Sequence, residues 1–173
     1  SSSKRFRVME SDQSLRRLSQ MRLRGAESEE DLLADWVLVC SSGRWVGFVT
    51  DQPLKELSVQ NWDFQTVGDH MRPLDELPSI EESEPLWKAV LALEQSEQGR
   101  LLVTGAAGLP SGTLDRSDVG EAVLKWLSLK LPAPLLEASR RRNDYPFGLP
   151  LLQAVTSMRA SGLLDETSES LIR

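Results

Sequence analysis

Cysteine and histidine are almost missing from this chain: its 173 residues hold one of each, Cys40 and His70. A single cysteine excludes a disulfide framework within the chain. One Cys and one His also fall short of the set of about four ligands that a structural zinc site takes. No nucleophile–base pair or metal cluster can be assembled from them, so a free-standing enzyme is the least favoured class. Long apolar runs are missing as well. Nothing approaches the ~20 apolar residues of a membrane span, and no signal-peptide pattern opens the chain. The chain is therefore expected to be soluble, with a reducing compartment as the default. Its start at Ser1-Ser2-Ser3, without Met, suggests a region excised from a larger protein.

What is present is a substantial apolar fraction and an uneven charge. At 40% hydrophobic, the chain can build one compact domain or two small modules sharing a core. Residues 1–25 carry seven Lys/Arg against Glu10 and Asp12, whereas residues 26–98 carry sixteen acids against four bases. Phosphate would be repelled by that acidic middle, which argues against a nucleic-acid partner. The basic ends are expected to pair with it, with contact to an anionic surface as the alternative.

Val8 to Arg24 reads as an extended start followed by a helix. Ser11 or Asp12 can cap it, and Leu15, Leu18 and Met21 or Arg22 fall at helical spacing. Residues 25–31 form an acidic loop. Trp36 to Cys40 is a continuous apolar run of strand length, Ser41 to Arg44 is turn chemistry, and Trp45 to Val49 is the second arm of a hairpin. Thr50 can cap the next helix, with Pro53 in its first turn, where a missing N–H costs nothing.

The same order of elements then returns. Glu81 to Leu93 predicts a helix opened by Pro85, with Leu86, Ala89, Val90 and Leu93 on one face. Leu101 to Val103 is a short buried strand, Gly105 to Ser111 a turn-rich loop, and Gly112 to Leu114 the second arm. Asp115 is a cap, and Glu121 to Leu129 a closing helix. Leu15 matches Leu86 at an offset of 71 and Gly47 matches Gly112 at an offset of 65, so the chain is an internal duplication with its insertion in the acidic loop. One copy buries little surface, and two copies packed sheet to sheet are the expected stable object. The expected division is 4–62 for the first module, 63–130 for the second, and 131–173 for a Pro-containing extension. That extension would hold one short amphipathic helix, Leu151 to Arg159, and a frayed polar end.

The repeated unit resembles the CBS (cystathionine β-synthase-like) module. The residues that carry the resemblance are Gly43-Arg44-Trp45-Val46-Gly47-Phe48-Val49-Thr50 in the first copy and Gly112-Thr113-Leu114-Asp115-Arg116-Ser117-Asp118 in the second, with Val67-Gly-Asp-His-Met-Arg-Pro73 as the link between copies. The fold class this implies is α+β: a tandem CBS pair of two β-α-β-β-α-like modules with a C-terminal helical extension. A narrower resemblance covers Asp51 to Leu57, Leu77 to Ile80, Glu84 to Ala89, Leu109 to Arg116 and Tyr145 to Leu149. These segments look like the region that follows the membrane domain of cyanobacterial site-2 proteases, which are intramembrane zinc metalloproteases. The family's His-Glu-x-x-His has no counterpart here. The resemblance therefore implies the non-catalytic regulatory portion of such a protein, on the cytoplasmic side, with zinc and membrane belonging only to the parent. A homodimer formed through the pair is the expected assembly.

CBS modules commonly hold adenine nucleotides between strand and helix, through a Ser/Thr-x-x-Asp whose hydroxyl faces phosphate and whose carboxylate takes the ribose diol. The resemblance places Asp118 at the ribose position of the second copy, with Asp115 in place of the hydroxyl residue. A carboxylate there would repel phosphate unless Arg116, Lys88 or Arg72 lies close. The alternative reading of the same residues is a helix cap at Asp115 with Asp118 in the first turn, favoured by the helix dipole. In the first copy Thr50 is present, but Pro53 stands where the carboxylate should be, so that cleft has lost its ribose anchor.

Three further features have simpler readings. Gly105 to Thr113 lacks the Lys of a phosphate loop, and Pro110 removes a donor, so it reads as a hairpin loop. Among the five tryptophans, Trp36 and Trp45 are expected in the core, and Trp87, off the main apolar face, is either an exposed interface residue or an edge of the core. Arg140 to Arg142 read as a solvated run, with anionic lipid or an acidic partner as the alternative.

Overall fold

The computed structural model describes residues 6–25, 36–126, 132–143, 145 and 151–160. The acidic loop beyond Gly25 and the polar end after Gly162 lie outside the described residues. The chain divides into two compact units, Arg5–Leu77 and a second that begins at Pro78.

The first unit runs β1 (Phe6–Glu10), α1 (Leu15–Gly25), β2 (Trp36–Ser41), β3 (Arg44–Val49) and α2 (Gln52–Glu56). β1 pairs with β2 in parallel and β2 with β3 antiparallel, closing the hairpin through Ser42 and Gly43, whose φ values of 51° and 76° suit a tight turn. The register sets Val37 opposite Val49 and Val39 opposite Gly47, so these side chains and Met9 share one face. Leu15 and Leu18 of α1 pack on that face, both fully buried, and each contributes roughly 1.5–3 kcal/mol. The helix starts later than expected. Ser14 caps it, its Oγ accepting the Arg17 N–H at 3.2 Å, because Ser11 to Gln13 are spent on the turn that leaves β1. The next two free amides, of Leu15 and Arg16, donate to the carbonyls of Gln65 and Trp62.

That contact explains where the first unit ends. Val67 is fully buried in its core, so residues 62–77 stay with the first sheet, whereas the repeat alone begins the second module at residue 63. Arg72 extends the attachment by exchanging two backbone hydrogen bonds with Phe48 on the outer edge of β3. Only glycine fits at position 47: a Cβ there would lie 2.5 Å from the Arg72 carbonyl oxygen.

The second unit repeats the order: β4 (Ser79–Glu81), α3 (Leu86–Gln95), β5 (Arg100–Thr104), β6 (Pro110–Asp115) and α4 (Arg116–Trp126), followed by α5 (Ala133–Arg142) and α6 (Leu151–Ala160). Its sheet is again parallel then antiparallel. Ile80, Leu101, Val103 and Leu114 meet Ala89, Val90 and Leu93 of α3 and Val119 of α4 in its core. Three boundaries differ from expectation. Glu81 belongs to a strand and α3 begins at Leu86, because Pro85 forces the residue before it out of helical backbone. β6 begins at Pro110, tolerated at a strand start where no donor is needed. α4 begins at Arg116 rather than Glu121, nucleated by the cap at Asp115. No described helix is long and apolar enough to cross a membrane.

Candidate functional site

The turn from β6 into α4 brings Asp115, Arg116 and Asp118 together. Asp118 N–H donates to Asp115 Oδ1 at 2.9 Å, and Asp115 N–H donates back to Asp118 Oδ2 at 3.0 Å. Ser117 Oγ–H adds a second donor to Asp115 Oδ1 at 2.6 Å. This is a reciprocal capping box built from two carboxylates at the positive end of a helix. It is almost sealed: Asp115 is 1% exposed, Ser117 0% and Asp118 7%.

Reading the sequence missed Arg100. It opens β5, lies opposite Asp115 in the β5–β6 register, and is 2% exposed. A buried guanidinium is tolerated only beside counter-charge, and the register supplies Asp115 one strand away. The one signal in the sequence is an arginine heading an otherwise apolar strand; its partner follows only from the β5–β6 register, which sets it against Asp115. The cations weighed from the sequence are engaged elsewhere. Arg72 pairs with Glu76 at 2.6 Å and lies over the Phe48 ring, and Lys88 pairs with Glu84 at 3.0 Å beside the Trp87 ring.

Arg116 faces the C-terminal extension. Its Nε donates to Glu94 Oε1 at 3.0 Å, and its backbone N–H donates to Asn143 Oδ1 at 2.9 Å. Asn143 Nδ2 in turn donates to the carbonyls of Gly99, at 3.0 Å, and Gln98. The Tyr145 hydroxyl donates to Glu94 Oε1 at 3.3 Å; burial, with the Glu94 carboxylate beside it, pushes that phenol well above its usual range.

Thr50 lies in the first unit, and its local role differs from the one expected. The cap residue of α2 is Asp51, while Thr50 Oγ1 accepts the Gln52 N–H at 3.3 Å in a local turn. The Asp51 carboxylate is drawn to Arg22 of α1 at 2.8 Å, leaving no cap hydrogen bond from its own side chain. Pro53, at the position of the missing carboxylate, is buried.

The remaining candidates resolve into structure. Gly105 to Leu109 is a hairpin loop closed by Gly105 N–H to Leu109 O, with Ala107 and Gly108 at positive φ. Trp36 and Trp45 are half-buried rather than fully in the core, and Trp45 meets Phe6 edge to face at 6.0 Å. Trp87 is an edge residue with the Lys88 and Arg159 cations at its ring. Within the arginine run, Arg140 pairs with Glu121 and Glu137, and Arg141 with Glu137. His70 Nε2 meets Gln65 Oε1 at 2.7 Å, and Cys40 is a free thiol whose pKa burial raises.

No family model matches the chain, and no curated protein matches it by sequence. Solved structures do. The CBS-pair protein CBSX2 from Arabidopsis thaliana matches with a TM-score of 0.52 at 21% identity, over 75% of this chain and 94% of that one. CBSX2 in complex with AMP matches with a TM-score of 0.51 at 22% identity, over 73% and 94%. The CBS domain of a bacterial CNNM/CorC family Mg2+ transporter in complex with ATP matches with a TM-score of 0.50 at 16% identity, over 75% and 85%. The two three-stranded sheets with their helices are a CBS domain pair fold.

Proposed function

We propose that this chain is a non-catalytic regulatory module whose second unit is its one candidate adenine-nucleotide site, and that it serves a membrane-embedded site-2-type zinc metalloprotease. The carrying observation is the asymmetry of the two strand-to-helix turns. Asp115, Arg116 and Asp118 converge at the N-terminus of α4, whereas the equivalent turn of the first unit offers Thr50 and a buried Pro53. Solved pairs of the same fold hold AMP and ATP, which supports the ligand class. A non-catalytic role is supported by a chain with one histidine and one cysteine. The protease parent rests on the sequence resemblance at Asp51 to Leu57, Glu84 to Ala89 and Leu109 to Arg116. It predicts a His-Glu-x-x-His helix and apolar spans in the full-length gene; a gene without them removes the parent.

A specific observation favours a second reading, a ligand-free scaffold that dimerises through the pair. Asp118 Oδ2, the oxygen a ribose diol would need, already accepts the Asp115 N–H. Titration calorimetry with AMP, ADP, ATP and S-adenosylmethionine separates the two. The sensor predicts heat with at least one of them and weakened binding in Asp118→Asn with the fold intact. Silence with all four at millimolar concentration sinks the sensor, and a dimer in sedimentation then leaves the scaffold standing.

A further inference from the structure

We propose that the outer side of α1 and the loop carrying Phe64 form the face on which two copies of this chain associate, antiparallel about a two-fold axis near Gln20. The assignment rests on the scaffold reading above and gives that dimer its surface.

Burial of apolar surface drives association, and the first unit leaves several large apolar side chains in water. Phe64 is 84% exposed, Leu23 78% and Val59 50%. Single apolar residues scattered over a surface need no explanation, but these three belong to one strip. Arg16 ties the loop to the start of α1. Its Nη2 donates to the Val59 carbonyl at 3.1 Å, its Nε to Asp63 Oδ1 at 2.6 Å, and its guanidinium lies over the Trp62 ring. Leu23 follows seven residues later, two helical turns, so it shares the stripe of Arg16 about 10 Å along the axis.

The loop is held in shape, so the phenyl ring is presented rather than waiting to fold back. Trp62 Nε1–H donates to the Leu57 carbonyl at 3.3 Å, Asn61 Nδ2 to Ser58 Oγ at 3.1 Å, and Phe64 N–H to the Asn61 carbonyl at 3.1 Å. An aromatic ring on a fixed backbone is an anchor that costs little to order on binding.

A second copy fits this strip because the strip complements itself. Its ends are apolar and its middle carries the exposed Arg17 and Gln20. A two-fold rotation sets Leu23 of each copy against Phe64 and Val59 of the other, with the two Gln20 side chains meeting at the axis. Arg16 is offset by Asp63 and Arg22 by Asp51, so two such faces meet with little net repulsion. The same offset, with Asp69 exposed on the loop, leaves an anionic bilayer little to attract it. The apolar area is a few hundred Å² per copy, which counted twice falls at the low end of specific interfaces. The dimer is therefore weak, in the micromolar range.

The test is sedimentation of the full chain. The wild-type protein should dimerise, and Leu23→Lys and Phe64→Glu should each weaken the dimer about tenfold or more. Mixing these two variants should restore most of the affinity. The introduced ammonium then meets the introduced carboxylate, while the unchanged Leu23 meets the unchanged Phe64. Circular dichroism checks that each variant folds. Should Phe64→Glu misfold, Val59→Ser takes its place and should weaken the dimer about threefold; an unweakened dimer in it overturns the face. A dimer that neither charged substitution weakens, or a mixture that recovers nothing, overturns this face and leaves the scaffold standing. A wild-type chain still monomeric at about 100 μM overturns the face and the scaffold together. If that monomer binds phosphatidylserine vesicles through Phe64, the strip belongs to lipid.

Discussion

The two units share one order of elements and one sheet topology, yet they are built from different interiors. Among the described residues, all six buried polar or charged side chains, Arg100, Thr113, Asp115, Ser117, Asp118 and Asn143, belong to the second unit. The first unit closes the same strand-to-helix junction with a half-buried Thr50 and a buried proline. A junction closed by apolar contact tolerates substitution. One closed by buried charge is unforgiving, because each unsatisfied group carries its full desolvation cost. Equivalent substitutions should therefore have unequal effects, and the largest inequality lies at the paired positions Asp115 and Thr50.

Asp115→Ala leaves the Ser117 hydroxyl and the Asp118 amide buried without their acceptor and removes the cap of α4, at a cost of roughly 2–4 kcal/mol. Thr50→Ala loses one hydrogen bond at the surface, about 0.5 kcal/mol. Urea midpoints measure both. Equal losses would mean that the buried cluster is a decoration of the second unit rather than its closure.

The order of elements was legible because it rests on short-range signals: the apolar runs at Trp36 to Cys40 and Leu101 to Val103, the turn at Ser42-Gly43, and the offset between copies. The alternative reading of Asp115 and Asp118 as a cap was legible for the same reason. Arg100 and Asn143 were not. Their roles depend on partners 15 and 27 residues away, Asp115 and Arg116, which only the hairpin register and the return of the chain after α5 bring into place. The start of α1 at Leu15 is met by tertiary contact, the return of residues 62–67 onto its first amides, whereas α4 starts at Arg116 because of the local cap at Asp115.

The first unit has its own unforgiving position, which sharpens the contrast by its cause. Gly47→Ala forces a Cβ against the Arg72 carbonyl, which accepts the Phe48 N–H while the Arg72 N–H donates back to the Phe48 carbonyl. Overpacking of this kind costs roughly 1–3 kcal/mol. Thermal unfolding of the variant should show the loss, with exchange of residues 66–73 raised most. Unchanged exchange there would show that the segment is not held on the edge of β3 as the geometry requires.

The second unit should also carry an alkaline weakness that the first lacks. Tyr145 has its pKa raised in the folded state by burial and by Glu94, above the ordinary 10.0. The contribution of a group with a raised folded pKa is complete below the unfolded value and is lost as pH climbs from about 10 toward the folded one. Wild-type stability should therefore fall above pH 10 more steeply than that of Tyr145→Phe, which gives up one hydrogen bond, about 1 kcal/mol, at neutral pH. Parallel pH profiles would show that the phenol is open to water.

The smallest expected effect belongs to the first unit's ion pair. Arg22 on α1 and Asp51 at the start of α2 meet at 2.8 Å, but their side chains are 22% and 37% exposed. Water screens such a pair, and its coupling in a double-mutant cycle of Arg22→Ala and Asp51→Ala should be about 0.5 kcal/mol. The carboxylate has been drawn away from capping its own helix, so the single variant Asp51→Ala should cost little beyond that coupling. Set beside Asp115→Ala, it compares two aspartates next to the same kind of junction that differ chiefly in burial. A coupling above about 2 kcal/mol would place the Arg22 pair in a desolvated setting like that of Asp115. The two units would then differ in where they bury charge, not in whether they do.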